Sequence, residues 1–328
     1  MKQKLSQAKS KGKSGVISLD RRKSFWVFLA AAVIGTLMRT YQLYADMDHT
    51  TGYYTKGSLF LNVTSIVLIA AFILIMLIVF LGSSRDRVIE SCILLNPMRM
   101  KYHKLTKKLS SMVAVGALIM SALTMCEFGV DVYSAVAEKT FGTMGIIIMA
   151  LMFIAAITLI SVAAGVLNGT GISKGHCFFL ASIPVWKTCE VLQMAMTDVT
   201  VSNYSLKIYD MFTDMAAAIF FLAVIRFFLG FEKKHTRCNL IIWGYITAVL
   251  AVVSTIPRYA MFYLLPFDGR TFLIQPNISD LGLIFFPPAL IQVFWTAFEY
   301  KVMPKLNPFG RRRWVSRSTD VNKGMKSI

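Results

Sequence analysis

The stretch IYDMFTDMAAAIFFLAVIRFFLG, residues 208–230, has the length of a membrane-spanning helix but carries charged residues within it. Asp210 and Asp214 lie near its beginning, and Arg226 lies near its end. An ionised side chain inside hydrocarbon costs about 2.5 kcal/mol or more unless it meets a partner or water. Because Asp210 and Asp214 are four residues apart, they share one helix face. The pattern predicts that other helices present polar groups to that face.

The composition of the whole chain places this helix in a membrane protein. Of the 328 residues, 56% are hydrophobic and only 16% are charged, and the mean hydropathy is +0.60. A soluble chain of this length would need more polar residues to cover its surface. The apolar runs are also continuous rather than alternating, which excludes membrane-spanning strands. The fold class predicted is all-α, a polytopic integral membrane protein.

Eight apolar runs have the length of transmembrane helices. They cover about residues 25–44, 58–82, 109–128, 142–167, 177–197, 208–230, 239–263 and 281–298. The fifth run is the least regular, because it contains Pro184, Lys187 and Glu190. It either crosses the membrane or re-enters on the same side.

The distribution of basic residues favours a crossing by the fifth run. Cytoplasmic loops carry an excess of Lys and Arg. In an eight-helix chain with both termini in the cytoplasm, the cytoplasmic segments hold 27 of the 35 Lys and Arg residues. Without the fifth crossing, the basic loop containing Lys233, Lys234 and Arg237 would lie outside. We therefore predict eight transmembrane helices with a cytoplasmic N-terminus and C-terminus, in a plasma or cytoplasmic membrane.

Two basic tails flank the predicted helical domain. Residues 1–23 are predicted to be a disordered basic cytoplasmic tail, residues 24–299 the transmembrane domain, and residues 300–328 a second basic cytoplasmic tail. Because the formal charge of +18 is concentrated in these cytoplasmic segments, orientation and lipid attraction account for it. No nucleic acid partner is expected.

The cytoplasmic face carries two candidate contact surfaces. Arg311, Arg312, Arg313 and Trp314 in the second tail are predicted to lie at the membrane surface against anionic lipids of the bilayer. Loop 85–108 contains a short amphipathic stretch, which either lies on the membrane or docks a cytosolic partner.

Six charged residues fall in the predicted outer half of the helices, and we take them as candidate ligand-binding residues. They are Arg39, Lys187, Glu190, Asp210, Asp214 and Arg258. Side chains of opposite charge at one depth can pair inside a bundle. For Arg39 and Arg258 the alternative is snorkelling, in which the long stem carries the guanidinium to the lipid headgroups. Asp214 is too short to snorkel, which favours a partner or a cavity.

Prolines fall in the same zone as these charges. Pro257 directly precedes Arg258, and Pro287 and Pro288 lie in the outer half of the eighth run. Each proline removes a helical hydrogen-bond donor, and transporters use interrupted helices to bind solutes and ions. The prolines therefore add to the prediction of a polar site, although proline-containing helices also occur as plain packing features.

Signatures of known enzymes are missing from the chain. It contains no HExxH, GxSxG, Walker or GxGxxG motif. The four histidines are scattered and the five cysteines form no CxxC pair, so neither a metal nor another cofactor is expected.

Three functional hypotheses remain, in this order. The first is a transporter or permease-like protein with a polar solute or ion site in the outer half of the bundle. The second is a non-catalytic membrane scaffold or partner subunit, in which the charges are structural ion pairs. The third is an intramembrane lipid-modifying enzyme in which Asp210 and Asp214 serve as acid-base groups or metal ligands.

Overall fold

The computed structural model describes eight segments of the chain, residues 25–46, 59–84, 104–138, 142–168, 172–196, 204–229, 236–264 and 277–299. These segments contain nine helices and no strands. The helices are α1 (Phe25–Ala45), α2 (Leu59–Ser84), α3 (Lys104–Glu138), α4 (Thr143–Leu167), α5 (Lys174–Leu180), α6 (Ser182–Met196), α7 (Tyr204–Leu229), α8 (Thr236–Leu264) and α9 (Asp280–Glu299). The prediction of an all-helical protein is confirmed for this part of the chain.

Five of the helices contain a segment long and apolar enough to cross a membrane. The segments are Phe25–Ala45, Ser111–Ala137, Thr143–Leu167, Lys207–Leu229 and Cys238–Tyr263. Helices α2 and α9 contain shorter apolar segments, Val63–Val79 and Asp280–Gln292. The bundle also leaves large apolar side chains uncovered, such as Ile66, Ile69 and Ile73 on α2. Because soluble proteins rarely expose such faces, the helices are those of a membrane-embedded protein.

The fifth predicted helix is divided in two, as α5 and α6. The break falls at Ala181, three residues before Pro184. A proline ring clashes with the carbonyl four residues earlier, which here belongs to Leu180, the last residue of α5. The pair still runs along most of α4, because His176 of α5 contacts Ser161 near the end of α4. The break was not predicted.

The third predicted helix is longer in the structure than the expected 109–128. Helix α3 has 35 residues, which corresponds to about 52 Å and exceeds the hydrocarbon thickness of about 30 Å. Asp131, expected in the loop after this helix, therefore lies on α3 itself. Helices α8 and α9 continue through their internal prolines, so no break occurs at Pro257, Pro287 or Pro288.

Helix α8 lies at the centre of the bundle. Within an apolar stretch of 18 residues in its membrane-length segment 83% of the residues are buried, against 39% to 61% in the corresponding stretches of the other four segments. It packs on α2, α7 and α9, and its Tyr245 ring lies 5.0 Å from the Phe28 ring of α1. Helix α9 crosses α3 closely, because Gly116 and Gly282 leave room at the crossing. These contacts bring the polar ends of several helices together.

Candidate functional site

The ammonium of Lys187 lies among three carboxylates from three helices. Its Nζ is 2.9 Å from Glu190 Oε2 on α6, 2.8 Å from Asp214 Oδ1 on α7 and 3.1 Å from Asp280 Oδ1 on α9. Lys187, Asp214 and Asp280 are each at most 1% exposed. Because one ammonium cannot neutralise three ionised carboxylates, this group is formally negative.

A second ion pair joins α7 to α8. Arg258 Nη2 donates to Asp210 Oδ1 at 2.5 Å, and both side chains are buried. Asp210 lies one helical turn before Asp214, so one face of α7 contacts Arg258 and Lys187 in succession. The charged face of the apolar helix α7 thus contacts basic residues of two neighbouring helices.

The guanidinium of Arg39 on α1 lies next to this second pair. Its ζ-carbon is 4.2 Å from the ring centre of Tyr209, the residue before Asp210. Its Nη1 donates to Gln42 Oε1 at 2.6 Å, and the residue is 1% exposed. Arg258 is 2% exposed. Both arginines are therefore buried inside the bundle and do not snorkel to its surface.

Glu127 of α3 holds the start of α9. Its Oε2 accepts a hydrogen bond from the Ser279 backbone N–H at 2.6 Å. Ser279 directly precedes α9, where backbone N–H groups have no intrahelical partner and where a carboxylate is favoured by the helix dipole. This contact brings the end of α3 and the start of α9 to the same level as the Lys187 group.

The buried charges at this end do not balance. Among the described residues, eight charged residues are less than a tenth exposed, five acidic and three basic. They are Glu127, Glu190, Asp210, Asp214 and Asp280, with Arg39, Lys187 and Arg258. A surplus of ionised carboxylates in a medium of low dielectric is costly. The surplus is relieved if carboxylates bind protons or if a cation approaches them.

An open cleft of about 310 Å³ borders this group of buried charges. It lies between the ends of α3 and α6, the start of α4 and the residue Asn277 that precedes α9. Its polar lining consists of Glu127, Asp131, Ser134, Glu190, Gln193 and Asn277. Glu190 also contacts Lys187, so the cleft and the buried network share a residue. Polar groups deep in the bundle are thereby connected to the outside of the protein.

All six candidate residues lie at one end of the bundle, where α1, α3, α6 and α8 end and α4, α7 and α9 begin. Lys187, Glu190 and Asp214 contact one another, and Asp210 contacts Arg258. Three contributors were not among the candidates, namely Asp280, Ser279 and Glu127. An acidic residue in the first turn of α9 was the available signal for Asp280, and the expected start of this helix at residue 281 placed it in a loop.

Other predicted features fall outside the described residues or find no support within them. Arg311, Arg312, Arg313 and Trp314, and residues 85–103 of the cytoplasmic loop, lie outside. Within the described ranges, no three His, Cys, Asp or Glu side chains are grouped to hold a metal ion. In the Lys187 group, the ammonium itself occupies the position between the carboxylates.

Comparisons of the chain with models of known protein families, with curated proteins and with solved structures found no match.

Proposed function

We propose that the protein is a transporter or permease-like membrane protein with a polar solute or ion site at the end of the bundle that holds the buried charges. The observation that carries this proposal is the network around Lys187, which has more carboxylates than bases and reaches an open cleft through Glu190. Ionisable residues inside membrane domains are expensive, and they commonly line pathways for solutes, ions or protons.

The contacts of Lys187 and Glu190 fit a protein that exposes its site to the two sides of the membrane in turn better than they fit a purely structural role. Lys187 contacts carboxylates on three helices, so a shift of any one helix changes its partners. Glu190 faces both Lys187 and the cleft, so a solute that binds Glu190 competes with the ammonium. A ligand can shift a conformational equilibrium by its differential affinity for the two states. A ligand at Glu190 has this differential affinity, because the contacts of Glu190 and Lys187 change when a helix shifts.

For the setting of this function we propose eight crossings with both termini in the cytoplasm of a plasma or cytoplasmic membrane. Two features support it. The α5–α6 pair runs antiparallel to α4 over most of its length, and α1 packs alongside α8 in the same direction, with Phe28 on Tyr245 and Gly35 near Val253. In this arrangement the cleft opens to the outside.

The cytoplasmic partners proposed are anionic lipids at Arg311–Trp314 and a cytosolic protein at residues 85–108. The basic charge of these segments supports the lipid contact. Nothing in the proposed function requires nucleic acid.

A structural scaffold is the second candidate, because Lys187 and Arg258 both already contact carboxylates of this chain. The lipid-modifying enzyme has less support. Asp210 and Asp214 contact different bases, and neither is among the residues that line the cleft. Acid-base work on one substrate would require the two carboxylates to converge on a shared space.

The proposal is tested with the detergent-purified full chain and a panel of inorganic ions, amino acids, amines and organic acids. A ligand that binds the folded state raises its melting temperature with concentration. Each stabilising compound is then offered to proteoliposomes that contain wild type, Asp214→Asn or Arg226→Gln. Arg226 lies exposed at the other end of α7 and serves as the control. We expect uptake by wild type and the control, and none by folded Asp214→Asn.

A scaffold gives a different result. In that case no compound crosses into proteoliposomes, and Asp214→Asn melts several degrees below wild type, because its loss alters a structural ion group. That pair of results would overturn the transport proposal.

A further inference from the structure

The described residues that line the cleft next to the buried network carry charge of one sign. Three carboxylates line it, Glu127 and Asp131 from α3 and Glu190 from α6, and none of the described lining residues is basic. Glu127 and Asp131 are four residues apart and therefore lie on the same face of α3. A cleft lined by one sign of charge with apolar walls concentrates ions of the opposite sign.

Glu127 lines the cleft and can accept a contact from a bound cation. The residue is 7% exposed, and no base of the described residues lies within ion-pair distance of its carboxylate. One carboxylate oxygen accepts the Ser279 N–H, and the other has no hydrogen-bond partner among the described residues. A buried carboxylate is normally paired or fully hydrogen-bonded. Glu127 lines the cleft, so a ligand there can supply the second contact.

The size and walls of the cleft indicate the kind of cation. A volume of about 310 Å³ lies at the lower end of the range for small-molecule sites. Ile148, Met149 and Met194 supply apolar wall, and Gln193 and Asn277 supply amide groups. A bare metal ion requires several ligands converging at about 2 to 2.6 Å, and no such grouping occurs within the described part of the chain.

We propose that this cleft binds a small organic ammonium ion, with its charged nitrogen between Glu127, Asp131 and Glu190 and its alkyl portion against the two methionines. The inference rests on the proposed function, for which it names the class of solute. Three donors of an ammonium match three carboxylates. When the ligand nitrogen contacts Glu190, Lys187 retains Asp214 and Asp280, so binding redistributes contacts in the buried network without leaving the lysine isolated.

The test uses n-butylammonium chloride as the probe, with sodium butyrate and 1-butanol as controls of the same chain length and sodium chloride at equal ionic strength. Melting temperatures of the purified full chain are measured against concentration in one detergent. We expect butylammonium to raise the melting temperature in a saturable way. Butyrate, butanol and sodium chloride are expected to have no saturable effect.

Three variants locate the binding. Asp131→Asn and Glu127→Gln are each expected to weaken the apparent Kd for butylammonium about tenfold or more, because each removes a charged hydrogen-bond acceptor. Arg226→Gln is the control and is expected to keep the wild-type Kd. Asp131 is only partly buried, so its variant tests the site even if Glu127→Gln does not fold.

Two outcomes would overturn the inference: equal effects of butylammonium and butyrate, or an unchanged Kd in Asp131→Asn. This failure is distinct from a failure of transport. If Asp214-dependent uptake is found for an anion or a neutral solute, transport stands and the ligand class is wrong. If butylammonium binds at the cleft but no compound enters proteoliposomes, the cleft stands and transport is wrong.

Discussion

Lys187 shows how a single side chain can organise the interior of an apolar bundle. Its carboxylate contacts come from α6, α7 and α9, and its Nζ also lies 4.5 Å from the ring centre of Trp186. Removing a buried charge leaves its partners uncompensated, and this typically costs more than the original interaction contributed. The residue therefore affects stability and any solute site at the same time.

We expect Lys187→Met to lower the free energy of unfolding by about 3 to 5 kcal/mol, because three buried carboxylates lose their common counter-ion. Denaturant or thermal unfolding in detergent measures the change. The matched control is Lys207→Met on α7, where Lys207 is partly buried and has no ion pair among the described residues. We expect the control to change stability by about 0.5 kcal/mol or less.

The pH dependence of the same variant provides a further check. Protonation removes the negative charge of carboxylates, so lowering the pH should reduce the difference in stability between Lys187→Met and wild type. A difference that is small at neutral pH, or one that grows as the pH falls, would contradict the role assigned to the ammonium.

At the level of elements, the crossing of α3 and α9 determines where the buried charges meet. A β-carbon added at Gly282 would lie 2.7 Å from the Met120 Cα, which is backbone and cannot rotate away. One helical turn earlier on α3, a β-carbon at Gly116 would lie 3.3 Å from the Phe286 Cα. Close approach at these glycines brings Ser279 and Asp280 to Glu127 and Lys187. Small residues serve this purpose in many membrane helix pairs.

We expect Gly282→Ala to destabilise the protein by about 1 to 3 kcal/mol, since the added methyl group forces α9 away from α3. The same substitution at Gly129 on α3 is the control, because a β-carbon there meets nothing within 4 Å. Alanine has the higher helix propensity, so Gly129→Ala should be neutral or stabilising by up to about 1 kcal/mol. Thermal unfolding of the two variants in one detergent compares them directly. Equal melting temperatures of the two variants would contradict this prediction, because α9 would then move away from α3 at no cost in free energy.

For the whole molecule, the path of the α5–α6 pair decides the orientation of everything after it. If the pair crosses the membrane, the basic loop between α7 and α8 lies in the cytoplasm. If it re-enters, that loop lies outside, against the usual bias of Lys and Arg.

Reporter fusions test this topology. We expect alkaline phosphatase to be active when fused after Arg270 and inactive when fused after Lys234, and green fluorescent protein to fluoresce when fused after Ile328. The fusions are expressed and assayed in a bacterium, and immunoblots of each fusion control for expression. Activity after Lys234 without activity after Arg270 would contradict the crossing by α5–α6.

The amino-acid sequence was sufficient to predict that the described segments are helical, but not the break between α5 and α6 or the length of α3. Runs of apolar residues long enough to span hydrocarbon produce helices because the backbone must satisfy its own hydrogen bonds there. Helix α7 matches its predicted segment 208–230 closely, since composition and length are local properties. The unusual residues in it, Asp210 and Asp214, were also visible as residues that required partners.

Only the tertiary structure decided which partners these residues have. Depth along a helix does not indicate which helices are neighbours, so the pairing of Asp214 with Lys187 and of Asp210 with Arg258 depended on packing. Asp280 was missed because it lies at a helix start, where an acidic residue is ordinary. The cleft likewise lies between the ends of α3 and α6 and the start of α4. Such spaces form between elements, and no local pattern of residues encodes them.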